Sequence, residues 1–283
     1  PIDQNNPEDA VGLYSYLKRE QYGSAPLVKG HYWNSQVIGY EDNTPVYMKD
    51  PKQGRYVVKQ DRKNTIKTYN PKQEVFFPRM YNDTRGDYAR NYKTWSGFNG
   101  KKGEIPTYGQ NLKFFFNYQV VHMYWRYFMW NFVGRQNDTQ GRENLIDGNW
   151  LSGISFIDEA RLGPQDQLPQ KMKDNKARNT YYFLPLLLGL IGLYFHSKAD
   201  KKSAWVVFLL FFFTGMAIML YLNMPAHQPR ERDYAFVGSF YAFAIWVGLG
   251  VYGLWDLLSR KIKAKQLPVM IAALSFLAVP VLM

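Results

Sequence analysis

The sequence predicts an α-helical membrane protein: four transmembrane helices, an interfacial amphipathic helix and a small extracytoplasmic α+β domain. Three observations carry this. Hydrophobic residues make up 46% and aromatics 17% of the 283 residues, yet mean hydropathy is only −0.38, so polar and apolar stretches must be segregated. The division falls near residue 180, with charges every few residues before it and long apolar runs after it. Lys and Arg cluster at the ends of those runs, where lipid headgroups would meet them.

The order of elements follows from local pattern. Residues 1–111 form the polar domain. Asn6-Pro7-Glu8-Asp9 is a helix start, with a cap, Pro in the first turn and acids beside the positive end of the helix dipole, and Ala10, Leu13, Tyr14 and Leu17 continue a helical stripe. Gln36–Tyr40, Pro45–Met48, Tyr56–Lys59 and Thr65–Tyr69 are short β-type runs broken by Gly, Pro, Asn and Asp. The last two, around Asp61–Asn64, are predicted to pair as a hairpin. Residues 81–111 lack periodicity and are predicted to be a surface loop with ordered aromatic contacts.

Residues 112–134 are an aromatic helix. Phe115, Tyr118, Val121, His122, Trp125, Met129 and Phe132 follow helical spacing, but Lys113, Gln119, His122, Arg126 and Asn131 oppose a span, since a mid-bilayer arginine costs about 2.5–3.5 kcal/mol. The helix is therefore expected flat or re-entrant at the interface, or buried against other helices. An extracytoplasmic loop region follows over 135–180. The spans are 181–196, 204–222, 234–258 and 267–283, matched to a hydrocarbon core of about 30 Å. Lys198, Lys201 and Lys202, and then Arg260, Lys261, Lys263 and Lys265, put those two connections in the cytoplasm and the polar domain in the periplasm of a bacterial inner membrane. Pro1 at one end and an apolar run at Met283 at the other suggest an internal piece of a longer protein.

The net charge of +12 is placed for headgroups, not for a nucleic acid, and the absence of cysteine removes disulfides, thiolate metal sites and a cysteine nucleophile. No metal is expected, because the four histidines lack ligand spacing. Asn82-Asp83-Thr84 and Asn137-Asp138-Thr139 match a glycosylation sequon, a pattern short enough to arise by chance.

Three constellations carry chemistry. Between two spans, Asn223 to Tyr234 packs His227, Arg230, Glu231, Arg232 and Asp233 into a tight turn. Its two arginines suit a phosphate or carboxylate, or else snorkel to headgroups. Along the aromatic helix, His122 and Arg126 are four apart, with Arg135 and Asp138 just beyond its end. This set would hold a prenyl chain and its phosphate, or a stacked sugar, or merely seat the helix. In the third, Asp158 either serves acid–base chemistry or pairs with Arg161 one turn away, the pair being favoured.

The runs YQVVHMYWRYFMWNFVGRQND (118–138), GNWLSGISFIDEARLGP (148–164) and YLNMPAHQPRERDYAFVGSFYAF (221–243) resemble a family of large bacterial multi-pass proteins related to eukaryotic membrane protein O-mannosyltransferases. The opening NNPEDAVGLYSYLKREQYG is similar to that family's mid-chain extracytoplasmic segment. The resemblance implies a GT-C-type glycosyltransferase that moves sugar from a polyprenyl-phosphate donor to protein Ser/Thr hydroxyls outside the cytoplasm. Its essential carboxylate is expected upstream of this sequence, so this piece alone would be inactive. Arg230, Arg232, Arg126 and Arg135 are then the expected donor-phosphate contacts, with His227, Glu231, Asp233, Asp138 and His122 around them. Expected partners are membrane lipids, a protein acceptor and other envelope proteins. The competing reading is a non-catalytic membrane scaffold that docks envelope proteins.

Overall fold

The computed structural model describes residues 9–18, 25–101, 103–141, 143–225 and 233–281. The chain divides into two compact units, Pro1–Phe114 and Phe115–Met283.

The first unit opens with helix α1 (Ala10–Leu17), where the Asp9 carboxylate caps the Gly12 N–H at 2.7 Å. The expected Asn6-Pro7 start lies outside the described residues. Three antiparallel pairs then nest inside one another along one ribbon: β1 (Lys29–Gly30) with β6 (Val75–Phe76), β2 (Val37–Glu41) with β5 (Ile66–Tyr69), and β3 (Val46–Lys49) with β4 (Tyr56–Gln60). This corrects the expected pairing of the 56–59 run with the 65–69 run. The tight turn sits one connection earlier, where the Asp50 carboxylate takes the Lys52 N–H at 2.8 Å and Gly54 supplies the positive φ of 62°.

Residues 81–111 are not a loop, which is a second correction: they hold α2 (Gly86–Ser96) and the start of α3 (Tyr108–Phe114). The buried face of α2 is Tyr88, Asn91, Tyr92 and Ser96, so half of its inward positions are polar and no apolar period shows. Tyr92 packs between Trp33 and Phe114 at ring separations of 5.1 and 5.0 Å. Asn111 fastens the segment after β6 by accepting the Arg79 N–H at 2.8 Å and donating to the Phe77 carbonyl at 2.9 Å. Burial pushes the Tyr32 hydroxyl up to about 12 and the fully buried Arg79 guanidinium down to about 10.

The second unit begins with a π-helical segment, Phe115–Trp125, continuing into α4 (Arg126–Phe132). Its i→i+5 bonding resets the face that the sequence period suggested. Tyr118, Gln119, Met123 and Tyr124 turn inward, five apart in two pairs, whereas Val121 and Trp125 of the expected stripe are 51% and 45% exposed. A polar stretch holds β7 (Gly134–Arg135), α5 (Ser155–Leu162), α6 (Gln170–Lys173) and β8 (Asn179–Thr180). The apolar helices α7 (Leu184–Ala199), α8 (Lys201–Phe213), α9 (Met216–Leu222), α10 (Asp233–Ser259) and α11 (Leu267–Phe276) follow.

Among the described residues two helices are long and apolar enough to cross a bilayer: Lys201–Leu222, which unites α8 and α9, and Tyr234–Ser259 within α10. The expected spans near 181–196 and 267–283 appear as shorter apolar helices, Leu184–Ala199 and Leu267–Val281. Only 11% of the apolar window of Lys201–Leu222 is buried inside the chain, so Trp205, Val206, Phe208, Leu210 and Phe213 face outward.

The π segment and α4 lie against α10 and are not flat on a surface. Tyr124 meets Phe236, Tyr127 meets Phe240, and Phe128 and Phe132 meet Phe243, with ring centroids 4.6–5.5 Å apart. Contacts that advance together along both segments mean that the two run in the same direction. On α10, Phe236, Ser239, Phe240, Phe243 and Trp246 form the receiving stripe at helical spacing. α7 packs against the same part of α10, where Gly189 next to Phe243 and Gly192 next to Trp246 give the close approach that small residues allow. A Cβ at Gly192 would strike the Trp246 carbonyl oxygen of the α10 backbone.

Gly192→Val is therefore expected to destabilise the second unit by about 1–3 kcal/mol through overpacking, read as a lower unfolding midpoint of the chain in detergent. An unchanged midpoint would mean that α7 and α10 do not meet there.

Candidate functional site

The site grows from polar groups that the apolar seam must satisfy. Gln119, fully buried on the π segment, donates Nε2 to the Asn223 Oδ1 at 3.2 Å and to the Met224 carbonyl at 2.9 Å. One π turn later, the Tyr124 hydroxyl lies 2.7 Å from Ser239 Oγ on α10. Gly215, in the break between α8 and α9, makes room for this pair: a Cβ there would sit 2.5 Å from Ser239 Oγ and 2.6 Å from the Tyr124 oxygen. Asn223–Met224 precedes the arginine-rich turn and Ser239 follows it, so both flanks of that turn are held against one aromatic helix. His227, Arg230, Glu231 and Arg232 themselves lie outside the described residues, as does the side chain of Asp233.

The next turn of the helix carries His122 and Arg126. The His122 ring stacks on Tyr118 at 5.6 Å, and its backbone carbonyl accepts Arg126 Nε at 3.0 Å. Arg126 is buried and also donates Nη1 to the Gly148 carbonyl. Gly141 lies so close that a Cβ would come within 2.5 Å of the Arg126 Cζ. The guanidinium thus fastens residues 141–148 to the helix.

Asn137 completes that loop by donating to the Ile146 carbonyl and accepting the Gly148 N–H, and Gln136 does the same with Leu145 and Asn149. Asn137 also accepts the Thr139 N–H, as Asn82 accepts the Thr84 N–H, so both Asn-Asp-Thr triplets are local Asx turns. Asp138 is exposed and takes the Asn175 amide at 3.3 Å. Gly134, at a φ of 143°, runs between the Leu151 and Asn179 carbonyl oxygens, where any Cβ would collide.

Arg135 lies over the Trp130 ring at 4.2 Å, half-buried, with its Nε buried and without a hydrogen-bond partner. Across the junction, Arg161 sits 3.3 Å from the Trp150 ring centroid and donates Nη1 to the Trp150 carbonyl at 3.2 Å. Asp158 does not form the expected ion pair with Arg161. Its carboxylate is only 2% exposed and accepts the Ser152 N–H, the Gly153 N–H and the Ser152 hydroxyl at 2.8, 2.8 and 3.0 Å. Three donors in range outcompete a guanidinium that already has a carbonyl and a ring. Asp158 still acts on Arg161 and Arg178 through space, opposing the fall in pKa that burial imposes on both.

Residues to which the sequence assigns no site role of their own are Gln119, Tyr124, Trp150, Arg178 and Ser239. Of these, Arg178 carried a signal, a basic residue six positions before an apolar run; the others are ordinary types whose role exists only in three dimensions. Among the described residues no three His, Asp or Glu gather as a metal set.

Residues 23–116, which run from the first unit to the second residue of the second, match a family of unknown function (DUF8416). No curated protein and no solved structure matches the chain.

Asp158→Asn is expected to destabilise the second unit by about 1–3 kcal/mol, because an amide NH₂ would face donors that now meet an oxygen. Glu159→Gln, on the exposed neighbour, is expected to change it by less than about 0.5 kcal/mol. Thermal unfolding of both variants in detergent checks the difference.

Proposed function

We propose that this chain is the membrane-embedded part of a glycosyltransferase that takes sugar from a polyprenyl-phosphate donor and passes it to protein Ser/Thr hydroxyls on the extracytoplasmic side of a bacterial inner membrane. In this reading all four apolar stretches span, the shorter two completed by interfacial residues or tilt. The Lys-rich connections at 198–202 and 260–265 face the cytoplasm. One observation carries the reading: Gln119 and Tyr124 tether both flanks of the 226–232 turn to the helix that bears His122 and Arg126. In this reading Arg230 and Arg232, which follow Asn223 and Met224 in the sequence, would grip a lipid phosphate at the bilayer surface, with the sugar offered to stacking aromatics.

The scaffold reading has an observation of its own. Arg126 and Arg161 spend their hydrogen bonds on carbonyl oxygens of the same chain, as structural fasteners do. Activity of the full-length protein decides between the two. Arg230→Ala combined with Arg232→Ala is expected to abolish glycan transfer while leaving expression and membrane insertion intact. Gln119→Leu, which removes the Gln119 hydrogen bonds to Asn223 and Met224, is expected to lower transfer by about tenfold, the loss that a displaced binding group brings. Full transfer by the double variant would reject the two arginines as donor contacts, and absence of transfer by the wild type would leave the scaffold.

A further inference from the structure

Between α4 and α7 the chain gathers two guanidinium groups, Arg161 and Arg178, around the Asp158 carboxylate, with Arg135 on the neighbouring strand. The β7–β8 register sets Arg135 opposite Asn179, so Arg178 is the adjoining residue, and a bridge from Arg135 to Trp150 brings in the indole under Arg161. Asp158 acts electrostatically on both Arg161 and Arg178. That carboxylate is occupied by Ser152 and Gly153, and no ion pair among the described residues involves any of the three arginines.

The donors are not all used. Arg178 gives Nη2 to the Gln165 Oε1 at 2.9 Å, while its Nη1 is buried with no hydrogen-bond partner, and Arg135 Nε is in the same state. Burial also lowers the pKa of Arg161 and Arg178, the mark of cations taken out of water faster than anions compensate them. Guanidinium groups this poorly matched carry a cost of desolvation that an entering anion relieves. A planar fork with several N–H groups suits a tetrahedral oxyanion better than a single-point halide.

We propose that Arg161 and Arg178, with Arg135 at their edge, form a binding site for a phosphate group. Phosphate carries enough negative charge to balance the excess of cations, and has an acceptor oxygen for the unpartnered Arg178 Nη1. Arg178 lies six residues before Leu184, where α7 begins, so a phosphate on a lipid would reach the site from the apolar side. Only this assignment of source rests on the glycosyltransferase reading; the site itself does not.

The test is calorimetric titration of the full chain with inorganic phosphate in detergent, and with farnesyl phosphate in zwitterionic phosphatidylcholine nanodiscs, at fixed ionic strength. The wild type is expected to bind both. Arg178→Gln and Arg135→Gln are each expected to weaken binding at least tenfold, and Arg178→Lys to recover part of it. Arg55→Gln, at an exposed turn of the first unit, is expected to change nothing. Arg135→Gln removes a side chain that makes no hydrogen bond through Nε, so it keeps the test open should Arg178→Gln unfold.

Farnesyl phosphate binding ten times tighter than inorganic phosphate supports the lipid source, and equal affinity overturns that clause alone. Absence of binding by the wild type, or affinity unmoved in both glutamine variants, overturns the site. Loss of phosphate binding in Arg178→Gln together with absence of glycan transfer by the wild-type full-length protein would retain the site and reject the transferase.

Discussion

The organisation of the second unit depends on one requirement: polar groups carried into an apolar seam must find partners there. An aromatic helix with Gln119, Tyr124 and Arg126 on its inner positions cannot simply lie among Phe and Leu side chains, because each unpaired group would cost about 1–3 kcal/mol. The chain answers each in turn. Gln119 reaches Asn223 and the Met224 carbonyl, Tyr124 reaches Ser239 through the gap that Gly215 leaves, and Arg126 reaches the carbonyls of His122 and Gly148. Between these polar ties Phe128, Phe132, Phe243 and Trp246 fill the seam. The Tyr124–Ser239 hydrogen bond sets the register of the helix against α10, and its stability comes from the rings.

The same requirement shapes the polar stretch between α4 and α7. It has few buried apolar residues, so it is held by a lattice of amide and carboxylate contacts centred on Gln136, Asn137 and Asp158. A glycine at 134 lets three backbone segments meet, as Leu151, Val133 and Tyr181 also show by their backbone hydrogen bonds. A region built this way is neutral wherever donors and acceptors match. Where they do not, at Arg135 and Arg178, it has unspent binding capacity.

The sequence made the location of elements legible, and their partners much less so. All four β-type runs of the first unit are strands, because alternation and breakers are local. Their pairing went astray, since Asp61–Asn64 looks as good a turn as Asp50–Gly54 and only the concentric register tells them apart. Helix α2 was hidden by Asn91 and Ser96 on its inner face, and the π segment defeated a period of 3.6 by burying residues five apart. In the site, Arg126, Arg135 and Asp158 were recognisable as residues with a task. That Asp158 would serve backbone N–H groups was not recognisable, because backbone donors have no letter in a sequence.

The most direct test of this account is a double-mutant cycle on the tie between the aromatic helix and α10, with Tyr124→Phe, Ser239→Ala and the pair measured by reversible unfolding in detergent. A buried hydrogen bond between them gives a coupling energy of about 0.5–1.5 kcal/mol. Strict additivity of the two single changes would mean that the helix does not pack against α10 in this register.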